Sequence, residues 1–427
     1  MAEYKSEFMR VMRERGFIHQ CTDESGLDAK LADGKTAGYI GFDCTASSLH
    51  IGSLIQIMVL RWLQKTGHKP IILLGGATTK IGDPSGKDES RPPLSDEVIE
   101  KNKAGIRRNF SQFGLGDCTF VDNAEWISKL SAIDLLETAE NFSVNRMLKF
   151  DSVQIRLERE HHLSLKEFLY LAIQAYDFVE LKKRYDCSLQ IGGSDQWGNI
   201  VSGVELNRKI QPEYNPSDEN LEKEYEKSKP YKTKHELYGL TTPLITTTDG
   251  GKMGKTATGA VWLNPEMLSP YDYWQFWRNT DDKDVERFVK LFTELELDKI
   301  KEIMAGNINE AKKILATEAT TLCRGKDEAL KAQESAKKTF EEGQLGESLP
   351  VLNIREALQK AGSINTSSLV HMAFGVSMSE ARRLIVGKGI KINDKTVEND
   401  VQHTLEDFND GPKKLSSGKK KHRIVKV

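Results

Sequence analysis

Up to about residue 260 the chain repeats one unit: a short apolar run that ends near glycine, then a longer stretch whose apolar residues recur at helical spacing. Residues 69–74 are the clearest copy, where Ile71, Ile72, Leu73 and Leu74 pass straight into Gly75 and Gly76. A strand that is apolar on both faces must be covered on both, the condition of a parallel sheet sandwiched by helices. Residues 39–42 and 188–191 read in the same way. The rhythm predicts an α/β fold built on a Rossmann-like parallel sheet, and in such sheets ligands gather where the strands end.

Beyond Asn264 the strand signals stop. Phe288, Leu291, Phe292 and Leu295 follow helical spacing, so residues 264–342 are expected to form an α-helical domain. A polar, glycine-containing stretch at 343–348 reads as a linker. Residues 349–427 then make a basic third domain, expected to be small and α+β, and residues 1–263 remain as the sheet domain. Inside the sheet domain, residues 212–234 hold eleven charged side chains and three prolines without an apolar period, which marks a surface insertion.

The formal net charge of −2 conceals an asymmetry, +6 in residues 350–427 against −8 in the remainder. Seven basic residues and no acid fall between Lys413 and Val427; that density suits phosphate contact, and charge alone fits a solvated tail equally well. No apolar run approaches the ~20 residues of a membrane span, so no membrane partner is expected, and nothing points to DNA. Residues 1–7 have no apolar stretch behind a basic start, and a cytoplasmic location is the expectation. Cys21, Cys44, Cys118, Cys187 and Cys323 lack any C-x-x-C spacing, and the adjacent pair His161-His162 points in different directions on a helix. Neither a disulfide framework nor a protein-held metal is predicted.

Five clusters could carry chemistry. The first runs from Tyr39 through Asp43, Cys44 and Thr45 to His50, Ile51, Gly52 and Ser53, after which Leu54, Ile57, Met58, Arg61 and Trp62 keep helical spacing. A strand thus leads through a loop into a helix start, whose free N–H groups and positive dipole end favour phosphate. Thr45 and His50 stand beside it as donors, although one His-x-Gly also fits a structural histidine. The second cluster, from Gly75 to Arg91, imitates a P-loop. It fails because only three residues separate Gly82 from Gly86 and because Asp88 stands where a magnesium-binding hydroxyl belongs. Lys87 and Arg91 can still clamp a polyphosphate by charge.

The third cluster lies on a helix predicted from about Ser164, where Leu165, Phe168, Leu169, Ala172, Ile173 and Tyr176 make an apolar stripe. Tyr170, Gln174 and Asp177 form a second stripe, which either offers a phenol, an amide and a carboxylate to one ligand or is an exposed polar face. The fourth opens with Gln190, Gly192 and Gly193 at a strand end and supplies Asp195, a suitable partner for sugar hydroxyls, with Gln196 and Asn199. The fifth, Lys252-Met253-Gly254-Lys255-Thr256, is a glycine-rich loop with two ammonium groups and by itself an ordinary turn.

In this order the clusters resemble the class I aminoacyl-tRNA synthetases, and closely the bacterial-type tyrosyl-tRNA synthetase family. His50-Ile51-Gly52-Ser53 is similar to the first class signature and Lys252-Met253-Gly254-Lys255-Thr256 to the second. Matches at 39–46, 82–87, 170–177 and 190–199 extend the likeness over most of the chain. Residues 377–395 resemble an RNA-binding module shared with a ribosomal small-subunit protein, which makes Arg382, Arg383, Lys388 and Lys391 candidate tRNA contacts and the basic tail part of the same surface.

The resemblance implies that L-tyrosine reacts with ATP to give tyrosyl-adenylate and pyrophosphate, and that the tyrosyl group then passes to the 3'-terminal adenosine of tRNA(Tyr). It places Tyr39 and Asp177 at the phenol hydroxyl, Asp83, Tyr170 and Gln174 at the ammonium group, and Asn123 and Gln196 as further tyrosine contacts. Asp43, Gly52, Ser53, Gly192, Asp195 and Lys255 would hold ATP, and Thr45, His50, Lys87, Arg91, Lys252 and Lys255 would act on the reacting phosphates. Mg2+ is implied as a companion of ATP, and a homodimer is the family's habit. Ser53, Cys44, Gly254 and Thr256 depart from the usual signatures and bear on the ATP contacts. A tryptophanyl-tRNA synthetase would share both signatures, and a catalytically inactive homologue acting as an RNA-binding protein is the alternative from another class.

Overall fold

The chain is seen in a computed structural model that describes residues 4–84, 94–210, 236–246, 253, 255–256, 259–340, 349–418 and 421–427. Lys87, Arg91, the insertion 212–234, Lys252, Gly254 and the linker 343–348 lie outside the described residues, and of Lys255 and Thr256 the backbone alone is described. The chain divides into two compact units, residues 1–246 and 247–427.

In the first unit, strands β1 (Gln20–Cys21), β2 (Ala37–Asp43), β3 (Lys69–Gly75), β4 (Thr119–Asp122), β5 (Cys187–Gly193) and β6 (Tyr238–Thr242) form one sheet in the order β1-β6-β5-β2-β3-β4. Every neighbouring pair is parallel except β1 with β6. All seven residues of β5 and six of seven in β3 are buried, which is why those runs read as continuously apolar rather than alternating. The helix Leu54–Lys65 joins β2 to β3, the helix Asp96–Gln112 leads towards β4, and the helix Trp197–Lys209 joins β5 to β6. From β2 the chain therefore fills the sheet in one direction through β3 and β4, then returns to fill the other side through β5 and β6. The order reverses between β2 and β5, and a crevice opens at such a point beyond the C-terminal strand ends.

The second unit begins with helices Pro270–Arg278, Val285–Phe292, Leu297–Ala305, Ile308–Arg324 and Lys326–Phe340. Trp277 is fully buried, with the rings of Phe292 and Phe288 at 5.0 and 6.0 Å. The spacing of Phe288, Leu291 and Phe292 holds, but the helix stops at Phe292. Thr293 is extended there and turns its hydroxyl back onto the Val289 carbonyl at 2.7 Å, so Leu295 falls outside the helix.

A five-stranded sheet follows, in the order Lys395–Thr396, Ile390–Ile392, Lys413–Ser417, Lys421–Lys426, Val351–Asn353, with helices Arg355–Ala361, Thr366–Phe374 and Met378–Val386 packed on a core that includes Leu369, Phe374, Ile385 and Val425. The basic stretch after residue 413 is not a tail: its two strands pair antiparallel, with Leu415 opposite Arg423. Lys414 is buried and its Nζ lies 2.8 Å from Asp394. The strand turns Lys414 inward, where an acid must neutralise it.

Candidate active site

β2 carries Tyr39 in its middle and Asp43 at its end, and the helix Tyr170–Tyr185 brings Tyr170, Gln174 and Asp177 alongside. The second stripe of that helix is no solvent face, since Asp177 is 2% exposed and Tyr170 is also buried. The apolar stripe starts later than its spacing suggests. Leu165 is exposed on a separate turn, Leu165–Phe168, capped by Ser164.

Asp177 is the hub. Its Oδ2 accepts from Asn123 Nδ2 at 3.0 Å and its Oδ1 from Trp126 Nε1 at 2.7 Å. Asn123, just past β4, is held in turn by the Ala77 backbone N–H donating to its Oδ1 at 2.9 Å, and its Nδ2 also reaches Thr78 Oγ1 at 3.1 Å. Thr78 donates to Asp43 Oδ1 at 2.9 Å, and the Tyr170 hydroxyl approaches the same oxygen at 3.4 Å. One network thus ties the ends of β2, β3 and β4 to the helix. Burial pushes the Asp177 carboxyl up to about 7; the Asn123 and Trp126 donors oppose the rise, and the charges of Asp43 and Asp122 add to it.

Tyr39 is 1% exposed, and its hydroxyl has no hydrogen-bond partner among the described residues. Burial first, then the Asp177 charge, holds that phenol well above its ordinary pKa, so it stays a neutral group able to donate and accept. A buried donor left open beside a buried acceptor is a costly arrangement in an empty core and a natural one in a site that binds a hydroxyl. Burial, followed by Asp43, Asp83 and Asp177, likewise raises the Tyr170 phenol.

A second network sits at the β5 end. Gln196 Nε2 donates to Asp83 Oδ2 at 2.9 Å, Gln174 Nε2 to Gln196 Oε1 at 3.3 Å, and Asn199 Nδ2 to Gln174 Oε1 at 2.8 Å. Gly192 closes β5 with Gly193, and Asp195 lies on the turn Ser194–Gln196 that follows. A Cβ on Gly193 would meet Asp195 Oδ1 at 2.6 Å, so glycine there lets the carboxylate fold back over the strand end.

The loop after β2 holds Thr45, half-buried, and His50, which caps the turn Ile51–Ser53. His50 Nδ1 accepts from the Gly52 N–H at 3.0 Å, which puts the proton of the neutral ring on Nε2. The loop is fixed from the helix Asp96–Gln112: Asn102 Nδ2 donates to the Cys44 carbonyl at 2.8 Å, and Asn109 Oδ1 accepts from the Leu49 N–H at 2.7 Å. Cys44 is fully buried with its thiol pushed up to about 12 by burial and by Asp43, which leaves it chemically quiet.

The structure therefore brings Asp43, Asn123, Tyr170 and Asp177 into one network and Asp83, Gln174 and Gln196 into a second, with the Tyr39 hydroxyl in neither. Thr78 and Trp126 were not singled out from the sequence, although Trp126 follows Asn123 by a single helical turn; Asn199, named with the fourth cluster, joins the second network through Gln174. Asp122, likewise unmarked, pairs with Lys103. In the second unit, Arg382 and Arg383 are exposed on the helix Met378–Val386, with Arg383 paired to Glu380. Lys388, paired to Glu398 at 2.9 Å, takes a left-handed backbone (φ 56) between Gly387 and Gly389, and Lys391 is exposed.

The model of the class I tRNA synthetases (W and Y) matches residues 31–341. The chain belongs to this family. The likeness to curated relatives extends over the whole length of the chain. It is 52% identical over 434 residues to the tyrosine–tRNA ligase of Methylocella silvestris, covering 99% of this chain and 98% of that one. It is 51% identical over 438 residues to the tyrosine–tRNA ligase of Rhodospirillum rubrum, covering 100% and 99%. Among solved structures, a C-terminally truncated mitochondrial tyrosyl-tRNA synthetase of Aspergillus nidulans superposes with a TM-score of 0.66 at 29% identity, over 78% of this chain and 94% of that one.

Proposed function

We propose that this class I synthetase is a tyrosine–tRNA ligase, which joins L-tyrosine to ATP as tyrosyl-adenylate and then to the 3'-terminal adenosine of tRNA(Tyr). The observation that carries the choice of amino acid is the buried Asp177 carboxylate beside the open Tyr39 hydroxyl. A phenol can donate to the one and accept from the other, whereas the indole of tryptophan only donates. Asp83, Tyr170 and Gln174 are assigned to the ammonium group, and Asn123 and Gln196 complete the tyrosine pocket. Asp43, Asp83 and Asp177 make this end of the sheet electronegative, which suits a cation.

The tyrosine carboxylate, already ionised, attacks the α-phosphorus of ATP in line, and the bond to pyrophosphate breaks. No general base is required. Charge builds on phosphate oxygens, and groups that donate there lower the barrier. The His50 Nε2–H and Thr45 are assigned to the α-phosphate, and Lys87, Arg91, Lys252 and Lys255 to the leaving pyrophosphate. Asp195 is assigned to the ribose hydroxyls, with Gly52, Ser53 and Gly192 beside the nucleotide. Mg2+ is read as a companion of the ATP phosphates. The site carboxylates are already engaged, Asp177 with Asn123 and Trp126, Asp43 with Thr78, and Asp122 with Lys103.

The domain limits 1–263, 264–342 and 349–427, with the RNA-facing role of Arg382, Arg383, Lys388 and Lys391, belong to the same reading, as does a cytoplasmic homodimer. What supports the dimer is the helix Ala132–Glu140, which buries no residue and leaves Ile133 and Leu136 62% and 64% exposed. Light scattering on the eluted protein checks it. Tyrosine-dependent ATP–pyrophosphate exchange tests the central claim: exchange driven by tyrosine and not by tryptophan is expected, and its absence with both would favour an RNA-binding protein without catalysis.

A further inference from the structure

Arg423, one of the basic residues near the C-terminus, is engaged inside the second unit. It stands on the strand Lys421–Lys426, and its guanidinium lies 5.7 Å from the ring centre of Phe374 in the core of the C-terminal module. From there it forks onto Asp272, with Nη1 2.8 Å from Oδ1 and Nη2 2.7 Å from Oδ2. Asp272 belongs to the helix Pro270–Arg278 of the helical bundle, where its Oδ2 also accepts from Ser269 Oγ at 2.9 Å. The two side chains are 19% and 21% exposed. A planar guanidinium set on both oxygens of a carboxylate fixes direction as well as distance, and partial burial weakens screening by salt. The contact withdraws Arg423 from phosphate while it joins the two halves of this unit.

We propose that Arg423 and Asp272 are a positioning pair for tRNA transfer. The fork holds the 349–427 module at one angle to the bundle, so that the exposed Arg382, Arg383 and Lys391 meet RNA already oriented. Order present before binding need not be imposed during it, and the gain appears as affinity for tRNA rather than as chemistry. The inference rests on the tyrosine–tRNA ligase reading.

Full-length protein is assayed for tyrosine-dependent exchange and for charging of tRNA(Tyr), with Asp272→Ala, Arg423→Ala and the double variant. Asp272→Ala is expected to raise the KM for tRNA by about five- to tenfold, the range for a charged hydrogen-bonded pair that is partly solvated, with kcat and exchange unchanged. Arg423→Ala should do the same, and the double variant no more than either. Small-angle scattering should show a broader distance distribution in all three. If Asp272→Ala leaves the KM unchanged while Arg423→Ala raises it, Arg423 touches RNA directly and the pairing role is overturned. Additive effects in the double variant overturn it as well. Asp272→Asn, nearly isosteric, replaces Asp272→Ala if circular dichroism shows the latter misfolded, and the same outcomes then decide. Loss of exchange in the unmodified protein refutes the ligase reading instead, and is read separately.

Discussion

Asp177 concentrates three demands on one side chain: it is buried, it holds two donors, and it stands beside a phenol without a partner. Asp177→Ala removes the proposed acceptor for the substrate hydroxyl, leaves Trp126 Nε1 unpaired and leaves Asn123 Nδ2 with Thr78 alone. Discrimination between tyrosine and phenylalanine should fall by about ten- to a hundredfold, the worth of one charged hydrogen bond, measured as the ratio of exchange rates. Equal loss for both amino acids would assign Asp177 to the fold alone. Its titration gives a second expectation. With the carboxyl raised to about 7, the folded protein holds this proton more tightly than the unfolded chain does. The stability it contributes is therefore complete below the unfolded pKa of about 3.9 and is lost as the pH rises through the folded value. Tyrosine binding is expected to run the other way, because the acceptor proposed for its hydroxyl is the ionised carboxylate. The KM for tyrosine should rise as the pH falls through about 7, and the KM for phenylalanine should lack that limb. Exchange kinetics across that range would show it, and parallel profiles would detach the limb from Asp177.

The elements that make the site work are the ones that restrain loops. The helix Asp96–Gln112 holds the loop after β2 through Asn102 and Asn109, and at Gly105 it comes so close that an added Cβ would sit 1.9 Å from the Ser47 carbonyl oxygen. Gly105→Ala must push the loop or the helix aside, at a cost of about 1–3 kcal/mol. Because Thr45 and His50 ride on that loop, the adenylate step should slow while the KM for tyrosine, set by the networks around Asp177 and Gln196, changes little. Thermal unfolding and pre-steady-state kinetics on the same variant separate the two effects. Wild-type activation in a destabilised protein would show that the loop is positioned from elsewhere.

At the scale of the whole chain, the residues assigned to tyrosine and ATP all precede residue 264, and the basic excess follows residue 349. A chain ending at Gly346 should still form tyrosyl-adenylate and should lose transfer to tRNA. The steep salt dependence of tRNA binding expected of the intact protein should flatten, although by less than seven terminal cations would suggest, because Lys414 and Arg423 are committed to Asp394 and Asp272. Filter binding at several salt concentrations, with exchange on the same preparation, is the measurement. Loss of exchange on truncation would mean that the C-terminal module supports the rest of the chain.

Local order determined much of this protein in advance. The buried strands 69–74 and 188–191 were legible because a strand covered on both faces needs a continuous apolar run, and the placing of the first and fourth clusters at strand ends was legible because each follows such a run directly. Tertiary structure alone decided which groups face one another. Tyr170, Gln174 and Asp177 share a helix stripe by arithmetic, but whether that stripe meets water or ligand depended on β2 and the segments after β3 and β4 arriving beside it. Thr78 and Trp126 carry no signal in isolation, since a threonine or an indole becomes part of a site only when a distant carboxylate needs its hydrogen. The same holds at the C-terminus, where charge density cannot tell a lysine on phosphate from one on aspartate. Charge belongs to the residue, and its partner is chosen by the fold.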